Sequence, residues 1–165
     1  MTEINKELFK EFRHDHAVLG RGLHKLRAMI VSGDVSQLKA ASVVLDKIAG
    51  SHIAFEEEDF YPALAAFLST EELDSMYAEH SHGAATLDAI AELDQSEDLC
   101  PEMRTQLLER IDEMEKHVSE CGELFGAMGG LDEVKKARLL QNLRRRRKGA
   151  SPWTEYTHRK AAKNE

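Results

Sequence analysis

Four successive segments repeat apolar residues every three or four positions, and each interrupts its apolar seam with a histidine. The first reads Phe9, Phe12, His16, Leu19, Leu23, Leu26, Ile30. The second reads Leu38, Ala41, Leu45, Ile48, His52, Glu56, Phe60. The third runs Leu73, Met76 or Tyr77, His80, Ala84, Leu87, Ile90, and the fourth Met103, Leu107, Ile111, Met114, His117, Cys121, Leu124 or Phe125, Met128. A period near 3.6 is the mark of an amphipathic helix. The punctuation between segments agrees. Gly33 suits a helix C-cap, Asp34 with Gln37 and Ser69 with Glu72 suit capping boxes, and Pro101 suits a first helical position. Pro62 is expected to stop or kink the second helix.

Four amphipathic helices with short links predict an all-α, up-down-up-down four-helix bundle. It would occupy residues 1–130. Residues 131–165 would add a short helix, from about Leu131 to Arg146, and an irregular basic tail. Few aromatics, 6%, and only 3 prolines speak against a β-sandwich.

The histidines fall at one height. His16 precedes Ser32 by 16 residues, and His52 follows Asp34 by 18. At about 1.5 Å per residue these levels agree within about 3 Å. The links to His80 and His117 balance in the same way. A single core histidine is most simply a hydrogen-bonded core residue. Four in one layer, in a chain with 8 histidines, each bring a donor and an acceptor into an apolar interior. A metal ion resolves that burden. Glu56 lies one turn after His52 in the same seam and adds an oxygen. Imidazole with carboxylate suits iron, manganese or zinc, and the scarcity of cysteine argues against a structural zinc site.

At His14-Asp-His16, His52-Ile-Ala-Phe-Glu56 with Phe60-Tyr-Pro62, Glu79-His80 and His117-Val-Ser-Glu-Cys121, the sequence resembles the hemerythrin-like (HHE cation-binding) proteins. The resemblance covers about residues 8–128. It implies a non-haem iron centre, two irons per chain, with mononuclear or other divalent-metal forms as alternatives. It also implies a small-molecule ligand such as dioxygen, nitric oxide or peroxide. Carried over by position, it implies His16, His52, His80 and His117 as ligands and Glu56 as a bridge. Two positions depart from the pattern. Ala84 stands where many relatives place a second histidine, and Cys121 where a carboxylate is expected. Cys121 could ligate as thiolate, Glu120 could supply the oxygen instead, or the second metal is weak or absent. Cys121 could equally be a small buried hydrophobe.

His14, His24 and His82 lie off the seams and read most simply as surface residues, with His14 and His82 as candidate supporting or spare ligands; Glu57, Glu58 and Asp59 read most simply as a solvated acidic face, with Glu57 as a candidate extra ligand. Tyr61 and Tyr77 fall near the proposed layer.

Charge is uneven. Residues 1–131 hold 11 Lys and Arg against 26 Asp and Glu, a net −15, whereas residues 132–165 are net +7. The body is a poor nucleic-acid binder, and any such contact would run through Arg144–Lys148. The simpler expectation is that this run folds back on the acidic body, with Trp153 and Tyr156 as anchors. The absence of a leader-like apolar stretch and of a disulfide framework makes the cytoplasm the expected compartment.

Four functions compete: small-molecule binding or sensing at a metal, turnover of peroxide or nitric oxide at the same centre, a metal-free helical interaction domain, which leaves the histidine layer unexplained, and histidine phosphotransfer. The last needs an exposed histidine beside a cation, and His82 is surrounded by Glu79, Ser81 and Asp88 instead.

Overall fold

The computed structural model describes residues 2–120 and 122–163, and these are helical throughout apart from short links. Helix α1 spans Glu3–Ser32, α2 Val35–Phe55, α3 Tyr61–Leu64, α4 Thr70–Ala91, α5 Pro101–Glu120, α6 Gly122–Gly129, α7 Glu133–Arg146 and α8 Trp153–Lys163. Helices α1, α2, α4 and α5 surround a common core. α1 packs on α2 and α5, and α4 packs on α2 and α5. The helix ends follow the sequence signals. Gly33 closes α1 at φ +79°, its N–H donating to the Ile30 and Met29 carbonyls. The Asp34 side chain accepts from the Gln37 N–H, and Ser69 and Glu72 form a reciprocal capping box.

Most seam residues are buried, with one instructive slip. Ile48 is exposed, and its neighbour Ala49 faces the core. From there the buried set runs through Ile53, Glu56, Glu57, Phe60, Tyr61 and Leu64. Glu56 and Glu57, and Phe60 and Tyr61, are adjacent pairs buried together. Glu56–Phe60 forms a π-helical turn there, in which the Tyr61 N–H donates to the Glu56 carbonyl. Pro62 has no N–H to give to the preceding turn, and the wider turn absorbs that loss. The helix therefore passes through Pro62 into α3 instead of stopping there.

The C-terminal residues differ from expectation. The fifth helix begins at Glu133 with Asp132 as its cap, close to where the sequence places it. The tail beyond Pro152 is not irregular; it forms α8, which packs on α2 and α4. Trp153 and Tyr156 are buried and anchor it, as expected. Two helix glycines make room for this strap. A β-carbon on Gly50 would lie 1.9 Å from the Ser151 carbonyl oxygen, and one on Gly83 would lie 2.3 Å from the Trp153 ring. Helix α7 packs on α1 and α2. The basic run meets acidic partners there: Arg144 pairs with Glu7 and Glu11, Arg146 with Glu58 and Asp59, and Arg147 with Glu11 and Asp15.

Candidate metal centre

His16 on α1, His52 at the end of α2, His80 on α4 and His117 on α5 all turn Nε2 toward the Glu56 carboxylate in the bundle interior. The two oxygens of Glu56 divide these histidines into two trios. His16 Nε2 and His52 Nε2 lie 3.6 and 3.2 Å from Oε1. His80 Nε2 and His117 Nε2 lie 3.1 and 4.0 Å from Oε2. Within each trio the potential ligand atoms lie within 4.8 Å of one another. Glu56 is fully buried, and His52 and His80 nearly so.

Each histidine donates its other nitrogen to an acceptor. His16 Nδ1 lies 2.9 Å from the Phe12 carbonyl, His52 Nδ1 3.4 Å from Asp15, His80 Nδ1 3.0 Å from Glu57 and His117 Nδ1 2.5 Å from Glu79. Carbonyls and carboxylates only accept, so Nδ1 carries hydrogen and the Nε2 lone pair can face inward. This is the arrangement that fixes the tautomer and orientation of metal-binding imidazole. Tyr61 adds a hydroxyl 3.3 Å from Glu56 Oε2 and 3.2 Å from His80 Nε2.

The donor set fits a cation. Among the described residues, His16 Nε2, His52 Nε2 and Glu56 Oε1 are buried without a hydrogen-bond partner. Three orphaned polar atoms aimed at one another would be costly without a shared partner. The protonation states express the same tension. Burial and the charge of His52 push His16 down to about 4, leaving it neutral. Burial opposes the charge on His52, but Glu56 and Asp15 outweigh it and raise His52 to about 9. Burial likewise opposes ionisation of Glu56, yet the charge of His52 and contacts from His117, His52 and His80 hold it well below 4.5. His117 is raised above 6.5, because Glu56 and Glu79 overcome its burial. In the metal-free protein, protons do the work of neutralising a buried carboxylate.

A cavity of about 340 Å³ adjoins the histidines, with residues of α4 and α5 forming much of its lining. Leu19, Leu23, Leu45, Met114 and Trp153 give it apolar walls.

Of the residues singled out in the sequence, five come together: His16, His52, Glu56, His80 and His117. Glu120 belongs to neither trio; its exposed side chain pairs with Lys116 at 3.6 Å. Cys121 lies outside the described residues. Ala84 is buried. His14, His24 and His82 are exposed. Reading Glu57–Asp59 as a solvated face needs correction. Glu57 is buried, bonded to His80, Lys160 and the Tyr156 hydroxyl, and Asp59 is held by Arg146 and Asn142. Asp15 and Glu79 are the residues that sequence reasoning left out of the site; Glu57, raised there as an extra ligand, bonds to His80 Nδ1 instead. Asp15 and Glu79 each directly precede a seam histidine and serve the histidine of a neighbouring helix, a spacing visible in the sequence.

Fold and site together define a helical-bundle protein with a buried histidine–carboxylate cluster that could hold a cation. The hemerythrin HHE cation binding domain matches residues 7–121, most of the chain, and the protein belongs to that family. Among curated proteins and among solved structures, no relative matches the chain.

Proposed function

We propose that this is a non-haem iron protein holding two irons, which binds or senses a small molecule such as dioxygen, nitric oxide or peroxide. The observation that carries this reading is the division of Glu56 between two trios, one oxygen facing each. His16, His52 and Glu56 Oε1 would hold one ion, and His80, His117 and Glu56 Oε2 the other. Cys121, one turn beyond His117, is our candidate for a further ligand on that side; Glu120 would have to leave Lys116 to serve instead. We take α1, α2, α4 and the α5–α6 segment to run up, down, up and down, which brings the four histidines to one level.

An iron pair would supply redox chemistry and open coordination positions. The chain does the rest. Phe12, Asp15, Glu57 and Glu79 fix the imidazoles, and Tyr61 offers a hydroxyl beside Glu56 and His80. Leu19, Leu23 and Met114 keep the neighbouring space apolar, so that a small uncharged molecule partitions into it.

Metal analysis with an optical spectrum, on protein purified without chelator, tests the reading. About two irons per chain supports it. One iron favours a mononuclear site in which Cys121 does not replace the missing carboxylate. No bound metal, together with a failure to take up added Fe2+ anaerobically, overturns it. Steady-state assay with peroxide and nitric oxide then separates an enzyme from a stoichiometric binder.

A further inference from the structure

The C-terminal arm, α7 and α8, lies beyond the stretch matched by the family. It nevertheless reaches the carboxylates that orient two of the histidines. Asp15 faces His52 Nδ1 with Oδ2, while its Oδ1 is held by Arg147 at 2.6 Å. Glu57 faces His80 Nδ1 with Oε1, while its Oε2 is held by Lys160 at 2.5 Å and by the Tyr156 hydroxyl at 3.3 Å. Arg147 follows α7 directly, and Lys160 and Tyr156 lie on α8. One arm cation therefore stands behind each trio.

We propose that the arm is a working part of the cation centre, with Arg147 and Lys160 as positioning residues. Arg147 fixes Asp15 for His52, and Lys160 fixes Glu57 for His80. This rests on the metal-binding reading above and extends it to residues beyond the stretch matched by the family.

The physical need is clear from the charges. Asp15, Glu56 and Glu57 crowd one interior, in a body of net −15. A carboxylate removed from water is tolerated only when paired. The Glu57 side chain is 5% exposed and that of Asp15 13%, so water does little for either. Glu79, which serves His117, is 42% exposed and is screened by solvent instead. Of the three carboxylates that orient histidines, the two sheltered ones are the two that the arm engages. Each chain of contacts uses both oxygens of its carboxylate, one on the cation and one on the imidazole, which leaves it little freedom to rotate. Lys160 is further located over the Tyr77 ring, 4.5 Å from its centroid, and the Tyr77 hydroxyl donates to the Glu57 carbonyl.

Five single variants of the full chain test the proposal: K160M and R147M, the conservative K160R, and H158A and R144M as controls. His158 shares α8 but pairs with surface Asp88, and Arg144 shares the basic run but pairs with Glu7 and Glu11. Chelator-stripped protein is titrated anaerobically with Fe2+. In parallel, the imidazole Nδ1–H resonances of the metal-free protein are recorded by NMR. K160M should weaken one of the two binding steps about tenfold, the scale typical of partners that orient a ligand, and should shift or broaden the His80 resonance. R147M should do the same to the other step and to the His52 resonance. K160R should recover most of the loss, and the controls should match wild type. Unchanged affinities and unmoved resonances in both variants would overturn the proposal, as would controls that lose as much. Wild-type protein that takes no Fe2+ would sink the metal reading, but the metal-free resonances would still judge the positioning roles.

Discussion

Gly50→Ala separates two expectations of opposite sign. Gly50 lies inside α2, where alanine is the better helix former by about 1 kcal/mol. On propensity alone the variant should be more stable. The structure says otherwise. The added β-carbon would sit 1.9 Å from the Ser151 carbonyl oxygen and 2.9 Å from Pro152 and Trp153 backbone atoms. Those are main-chain atoms and cannot swing aside, so the segment leading into α8 must lift by more than 1 Å, about the gap to an ordinary contact. Trp153 and Tyr156 are buried at 6% and 8% exposure. Burying a large apolar side chain contributes about 1.5–3 kcal/mol, so the two anchors contribute about 3–6 kcal/mol together. Losing most of that against the helix gain leaves a net deficit of about 2–5 kcal/mol. It falls on arm docking, because α8 can detach while the bundle stays folded. The chain has 1 tryptophan, so Trp153 emission reports docking directly. We expect red-shifted emission, faster tryptic cleavage after Lys160 and Arg159, and retained helicity in the bundle. A variant about 1 kcal/mol more stable in urea, with unshifted emission, would refute the seating of α8 on Gly50.

Glu56→Ala should abolish binding of both ions, because both trios share that carboxylate, whereas His16→Ala should remove only one, and His24→Ala neither; iron content per chain reads all three. Metal affinity should rise with pH up to about 9. His52, held at about 9, and His117, raised above 6.5, must give up protons to the incoming cation, while His16 at about 4 is already neutral. Affinity therefore falls about tenfold per pH unit for each proton displaced, as pH drops below these values. Calorimetric titration at pH 7 in buffers of different ionisation enthalpy should show more than one proton released per chain, and release of none would contradict it. Arg146→Met should cost about 1–2 kcal/mol in urea unfolding, since it strips a cation from Asp59, whose side chain is 12% exposed; exposed Arg145→Met should be near neutral.

What could be read from the sequence was what obeys a single period. His16, His52, His80 and His117 sit on apolar seams, so helix geometry alone brings them to one face, and counting residues brings them to one level. The shared carboxylate Glu56 follows because it is one α-turn from His52. The period fails at the next residue. Glu57 lies off the seam, yet it is buried where the turn from Glu56 to Phe60 widens. No periodicity argument finds such a turn, although Pro62 just beyond it is the residue that makes widening tolerable.

The second gap has a different origin. An irregular tail was the natural reading of Gly149-Ala-Ser-Pro-Trp because each apolar residue there is isolated. Trp153, Tyr156 and Lys160 become one face only once α8 forms, and α8 gains from forming only where Gly50 and Gly83 leave slots for it. Those glycines lie about seventy to one hundred residues upstream, each reading as a weak point in its own helix. The arm and its seat are therefore complementary features, each of which looks like a defect alone. The same holds for charge. A body of net −15 and a tail of net +7 invite a search for outside partners. Inside this fold, two of the tail's cations stand behind the carboxylates Asp15 and Glu57, beside the histidines those carboxylates orient.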